Sequence, residues 1–292
     1  MNRWGAPFTQ VVSSKGDTPE NRLWVSDLSG KARRRYLPDR DRINEMWEDG
    51  KMQDMTTRVP FLRDTTNATF ARVEIQNPIG LPVRLIQEHV FVKNRFLARR
   101  ETVAFEEAFE ARVAAVWNTQ NVGPFIGRHW ANTFMGAPVA SNGQIAMNTP
   151  PADLLVYFTP RPGWRMQVVD RTAEDPRTEV CPAQVRYSWE GTPSVGQRLH
   201  STQIFYPRAA RKAPPVSNNP EAKGLDRSDE FAKLAGASGI QVVRDDLEAT
   251  VLRLELEPGR VEWVVFNPEG KSVKAGLQET NETLAYQLED KR

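Results

Sequence analysis

Cysteine is almost absent from this sequence. Cys181 is the single one in 292 residues, which excludes an internal disulfide framework and any zinc site built from several cysteines. It precedes Pro182 with no base nearby and reads as a packed thiol rather than a nucleophile. Long apolar runs are missing too. No stretch approaches the roughly 20 apolar residues of a bilayer-crossing helix, so no membrane partner is expected. Nor is there an excess of either charge: 39 Lys plus Arg stand against 37 Asp plus Glu, a formal net charge of +2. A nucleic-acid groove needs clustered cations for its phosphates. The one dense basic run, Lys31 with Arg33, Arg34 and Arg35, is followed closely by Asp39 and Asp41, so nucleic acid is not expected as a partner. There is no Gly-x-Ser-x-Gly, no phosphate loop and no dinucleotide fingerprint. Met1–Gln10 has no apolar signal core, and the compartment is left open.

What is present is alternation. In 183–190, Ala183, Val185, Tyr187 and Trp189 alternate with Gln184, Arg186, Ser188 and Glu190. Strand side chains point to opposite faces in turn, so the segment buries one face and wets the other. Leu252, Leu254 and Leu256 repeat this design, as do Val261, Trp263 and Val265. Between them, Glu257-Pro258-Gly259-Arg260 places Pro where φ is fixed and Gly where φ turns positive, the demand of a type II turn. Asn267-Pro268-Glu269-Gly270 returns the chain into 271–275. Lys93-Asn94-Arg95 joins strands at 83–92 and 96–103, because Asn tolerates the left-handed region. Further strands are expected at 69–75, 110–117, 154–158, 165–170, 199–206 and 283–288.

Twenty-one prolines suit loops better than long helices. Helix is expected only at 41–49, where Ile43, Met46 and Trp47 share a face, and at 228–235, where Ser228 caps and Gly236 stops. The segment 207–224 reads as an exposed loop. The expected fold is therefore all-β: an antiparallel β-sandwich of two packed sheets and about a dozen strands, with two short helical insertions. Residues 1–68 form an N-terminal extension with the short helix near 41–49. Residues 69–292 form the sandwich, interrupted by a loop and helix over 207–239.

The phrase from Gln87-Glu88-His89-Val90-Phe91-Val92-Lys93-Asn94-Arg95-Phe96 to Leu97-Ala98-Arg99-Arg100-Glu101-Thr102-Val103, set in the strand order from 69 to 275, resembles the C-terminal β-sandwich of heparinase II/III-like polysaccharide lyases. Arg100-Glu101 stands where that family more often has Arg-Asp. The resemblance implies a complete enzyme in which an α/α-toroid joins the sandwich and a uronic acid residue is eliminated in the cleft between them. In the family a Tyr and a His or Asn come from the toroid. A further His, and metal ligands in some members, come from the early sandwich. This sequence has no run of amphipathic helices and no His-x-His pair, so no family catalytic residue transfers to it. What the resemblance implies here is a cleft wall, a scaffold or an acidic-polysaccharide binding domain, partnered by an α/α-toroid or another protein. The alternatives are a stand-alone lyase working by β-elimination on a glycosaminoglycan or similar polymer, and a purely structural or interaction sandwich. Family members are often periplasmic or secreted.

The densest polar and aromatic window runs from Trp117 to Phe134. Trp117 and Trp130 can stack on a sugar ring, Asn118 and Asn121 can bind hydroxyls, and the planar fork of Arg128 matches a carboxylate. His129 can carry a proton near neutral pH. The plainer interpretation puts the tryptophans in the core and the amides in turns. As proton acceptors in an elimination, the candidates are His129, Tyr157 and Tyr206. His89 and His200 share strand faces with apolar residues and read as packed side chains. No cofactor is expected. A calcium loop from Asp170, Glu174 and Asp175 is less favoured than a solvated ion-paired turn, because Arg171 and Arg177 are beside them.

Overall fold

The computed structural model describes residues 23–27, 56–76, 81–119, 125–135, 152–170, 183–209, 228–236, 238–276 and 278–289. They are all-β, with antiparallel pairing in every sheet. One four-stranded sheet runs β1 (Leu23–Asp27), β6 (Ala111–Thr119), β11 (Ala183–Gly191), β10 (Arg165–Asp170). The largest has eight strands in the order β2 (Thr56–Asp64), β3 (Ala68–Gln76), β4 (Val83–Val92), β5 (Phe96–Phe105), β12 (Arg198–Ala209), β9 (Ala152–Phe158), β8 (Trp130–Met135), β7 (Phe125–Ile126). A second four-stranded sheet runs β13 (Ile240–Asp245), β14 (Thr250–Glu257), β15 (Arg260–Phe266), β18 (Leu284–Glu289), and β16 (Val273–Ala275) pairs with β17 (Gln278–Thr280). The single helix among the described residues is α1 (Ser228–Leu234); the segment 41–49, expected to be helical, lies outside them.

The two-sheet expectation is corrected by the core. One apolar cluster joins Leu85, Val103, Leu154, Val156, Phe158 and Phe205 of the eight-stranded sheet to Val113, Val185 and Tyr187 of the first sheet. A second joins Val90, Phe96, Leu155, Tyr157, Ile204 and Tyr206 to Leu252, Leu254, Val264 and Phe266. Along β9 and β12 the two sets have opposite parity, so they occupy opposite faces of one sheet. The eight-stranded sheet is the middle of three layers. Strands buried on both faces lose the hydrophobic alternation that marks a half-buried strand. The continuous apolar run Leu154–Phe158 is the local signature of that burial.

Eighteen strands replace the expected dozen among the described residues. Two precede residue 69: β1 pairs with β6 and β2 with β3. Pro60 and a register shift between Arg58 and Phe61 break the alternation of β2, which is why its pattern is hard to see. The turn chemistry holds. Asn94 sits at φ 60°, and Gly259 and Gly270 at 78° and 65°. The hairpin it closes also ties two layers together, because Arg95 forks onto the fully buried Glu262 of β15 at 3.0 and 2.7 Å.

Candidate functional site

The β7–β8 connection is short and hydrogen-bonded at both ends. The Gly127 N–H donates to the Trp130 carbonyl at 2.8 Å, leaving Arg128 and His129 at the tip. A side chain at residue 127 would collide with the Trp130 indole, which lies across the glycine. The His129 carbonyl accepts from the Phe158 N–H at 2.7 Å and pins the tip to β9. Local sequence thus places a cation, an imidazole and an indole side by side.

They open onto a shallow cleft of about 590 Å³. Tyr157 and Pro160 line it beside the hairpin tip. Ala232, Ala235 and Gly236 at α1, with Ile240, Gln241 and Val242 on β13, complete its lining. Among the described residues, none that lines the cleft is acidic. Arg128 is exposed, and His129 and Trp130 are half-buried. Burial, and then the charge of Arg128, hold the His129 imidazole below its ordinary range. Its Nδ1 is buried without a hydrogen-bond partner among the described residues. Burial, and then the charge of Asp245, push the Tyr157 phenol up to about 12. Near neutral pH the cleft therefore presents one guanidinium, a neutral imidazole and an indole, and is lined beside them by the protonated phenol of Tyr157, which is itself buried in the second apolar cluster.

Next to the cleft lies a buried polar cluster. Asp245 Oδ1 is 3.0 Å from His200 Nε2 and accepts from Thr250 at 2.7 Å, while Oδ2 pairs with Arg161 at 2.7 Å. Arg161 also touches His200, and its backbone N–H donates to the Tyr187 hydroxyl at 2.9 Å. Burial drives Asp245 upward, but the hydrogen bond from His200 and the charge of Arg161 outweigh it and hold the carboxyl far below its usual range. Burial brings His200 down to about 4, so its imidazole is neutral near neutral pH. Beneath the β13–β14 turn, Arg100 donates to the carbonyls of Asp246 and Leu247 at 3.0 and 3.1 Å and pairs with the buried Glu88 at 3.0 Å.

The predicted site residues separate. Arg128, His129, Trp130 and Tyr157 come together in the cleft. Trp117 packs in the core, its ring 5.0 Å from Phe205. Tyr206 is buried against the third layer and accepts from Arg208 at 3.1 Å; it does not line the cleft. The Asn118 side chain, Asn121, Cys181 and the 171–177 loop lie outside the described residues. His89 and His200 take opposite faces of the middle sheet. Among the described residues no group of three His, Cys, Asp or Glu side chains could hold a metal ion. Arg161 and Asp245 carried no legible signal. A register shift between Val242 and Arg244 moves the inward parity of β13, so Asp245 rather than Arg244 faces in.

No protein-family model matches the chain, and no curated protein matches it. Solved structures do. The chain resembles part of the heparinase III fold. One heparinase III structure aligns with a TM-score of 0.43 and 8% identity, over 73% of this chain and 28% of that chain. A second gives 0.41 and 5%, over 73% and 27%. Heparan sulfate lyase HepC from Pedobacter heparinus gives 0.39 and 10%, over 87% and 33%. The chain spans about a third or less of the length of these proteins, and no residue role is carried across from them.

Proposed function

We propose that the chain is the β-sandwich portion of a heparinase II/III-like polysaccharide lyase and that its cleft binds a segment of acidic polysaccharide as one wall of the substrate path. The observation that carries this reading is the convergence of Arg128, His129 and Trp130, from one hairpin, with Tyr157 in a cleft that has no acidic lining residue among the described residues. A pyranose ring has an apolar face for the indole, and its carboxylate takes the guanidinium and the phenol proton. The Trp117 to Phe134 window and the hairpin phrase at 87–103 support the same reading from the sequence.

A second reading is favoured by the neutral His129 imidazole, whose Nδ1 has no hydrogen-bond partner among the described residues. Elimination at a uronate removes the proton beside the carboxylate while the glycosidic oxygen departs. Arg128 would neutralise the carboxylate, His129 would accept that proton, and Tyr157 would donate one to the leaving oxygen.

Calorimetric titration of the whole chain with heparan sulfate and with unsulfated uronate oligosaccharides separates the outcomes. Binding that Arg128→Ala and Trp130→Ala each weaken about tenfold, roughly 1.4 kcal/mol, supports the cleft. No heat with any acidic oligosaccharide overturns it. Ultraviolet absorbance of an unsaturated uronate product, lost in His129→Gln, is the result the elimination reading requires. A flat trace on every uronate tested removes it.

A further inference from the structure

We propose that Asp245 is the positioning residue of the cleft, its one buried carboxylate holding the loop wall and the sheet wall in register. This rests on the cleft being the ligand site. One wall contains Pro160, in the β9–β10 loop; another contains Ile240 and Val242, on β13 in a different layer. Asp245 follows Val242 by three residues and pairs with Arg161, the residue after Pro160, at 2.7 Å. The same carboxylate takes His200 of the middle sheet at 3.0 Å and Thr250 of β14 at 2.7 Å. Arg161 is held to the first layer as well, through Tyr187 at 2.9 Å. All three layers therefore meet at one ion pair beside the cleft.

Two features set this apart from an ordinary buried pair. The β-bulge between Val242 and Arg244 turns Asp245 inward, at the expense of one ladder register. Arg100, paired with Glu88, then props the turn that follows by binding the Asp246 and Leu247 carbonyls. Each buried carboxylate of the cluster has a guanidinium partner, Arg161 for Asp245 and Arg100, with Arg72 at 3.8 Å, for Glu88, and His200 beside Asp245 is neutral. A fixed charge in a dry setting acts over several ångströms. After burial, the charge of Asp245 is the next cause that raises the Tyr157 phenol, and it helps keep that phenol protonated as a donor into the cleft. Asp245 acts through the walls and through Tyr157, without touching ligand itself.

The test uses the whole chain and needs no ligand for its first arm. Asp245→Asn preserves side-chain size and removes the charge. Amide exchange in 159–164 and 240–245 should speed up about tenfold, as expected for losing one charge-assisted hydrogen bond from a local opening step, while β4 and β5 keep their protection. The tyrosine titration that disappears in Tyr157→Phe should move to lower pH in Asp245→Asn, a response that a purely mechanical brace does not produce. Unchanged exchange in both segments, or an unmoved Tyr157 titration, overturns the proposal. If Asp245→Asn does not fold, Thr250→Val removes one bond from the same carboxylate. It must then loosen the same two segments, or the proposal fails. In the second arm, heparan sulfate oligosaccharide is titrated into both proteins. Wild-type protein that binds none defeats the cleft reading and leaves the exchange result intact. Equal affinity in wild type and Asp245→Asn, with the walls loosened, counts against Asp245 as a positioning residue.

Discussion

Leu155 and Val156 are neighbours in β9 and are both fully buried, Leu155 against the third layer and Val156 against the first. In a two-layer sandwich one of them would face water. Leu155→Ala should therefore cost about 2 to 5 kcal/mol and Val156→Ala about 1 to 3, since both leave cavities. Urea denaturation of the two variants checks this. A near-neutral result for either would show that one face of the middle sheet is uncovered.

Arg95 and Glu262 clamp the middle sheet to the third layer. Glu262 is fully buried and also accepts from the Tyr286 hydroxyl at 2.6 Å. Arg95→Ala removes the forked partner of that carboxylate, leaving it Arg260 at 3.4 Å and the Tyr286 hydroxyl, and should cost about 3 kcal/mol. Tyr286→Phe removes one hydrogen bond to a charged group and should cost about 1.5 to 3 kcal/mol. Because both act on the same carboxylate, their costs should not add in the double variant.

Acid should weaken the fold before the carboxylates titrate. Burial, then the charge of Arg99, brings His89 down to about 4, and burial brings His200 to about the same value. Above the ordinary histidine value neither state binds the proton. As pH falls from about 6.5 towards 4 the unfolded chain takes up protons that the native chain refuses, so stability is lost across that window. Each histidine contributes about 3 kcal/mol at the lower end. Midpoints of urea unfolding between pH 7.5 and 4 should fall steeply in wild type and less in His89→Gln and His200→Gln. Equal slopes in all three would contradict the burial of these imidazoles.

Gly127 is needed for contact rather than for backbone freedom. Gly127→Ala drives a methyl into the Trp130 indole, so the indole must leave its place across the turn. A change in tryptophan emission should accompany about a tenfold loss of oligosaccharide affinity, comparable to Trp130→Ala, since the stacking platform supplies roughly that much. Unaltered emission would mean the indole has room to spare.

Much of this protein is local. The hairpin at Asn94, the turn at Gly259 and the strands from 83 to 105 and from 250 to 266 follow from alternation and turn residues, because those depend on neighbours a few positions apart. Half of the candidate site was equally legible: Arg128, His129 and Trp130 are adjacent in the chain, so whatever holds one presents all three. Tyr157 was noticed but not its setting, while Trp117 carried the same aromatic signal and went into the core. A sequence does not say which face of a strand another layer will cover.

The amino-acid order by itself determined that the chain would be antiparallel β-structure and that a cation, an imidazole and an indole would share one turn. Only the tertiary structure decided that the sheets stack three deep and that a bulge turns Asp245 towards Arg161 and His200. Those partners are 84 and 45 residues away along the chain. Alternation is a property of single strands, whereas burial on both faces and the meeting of distant charges depend on which layers come together.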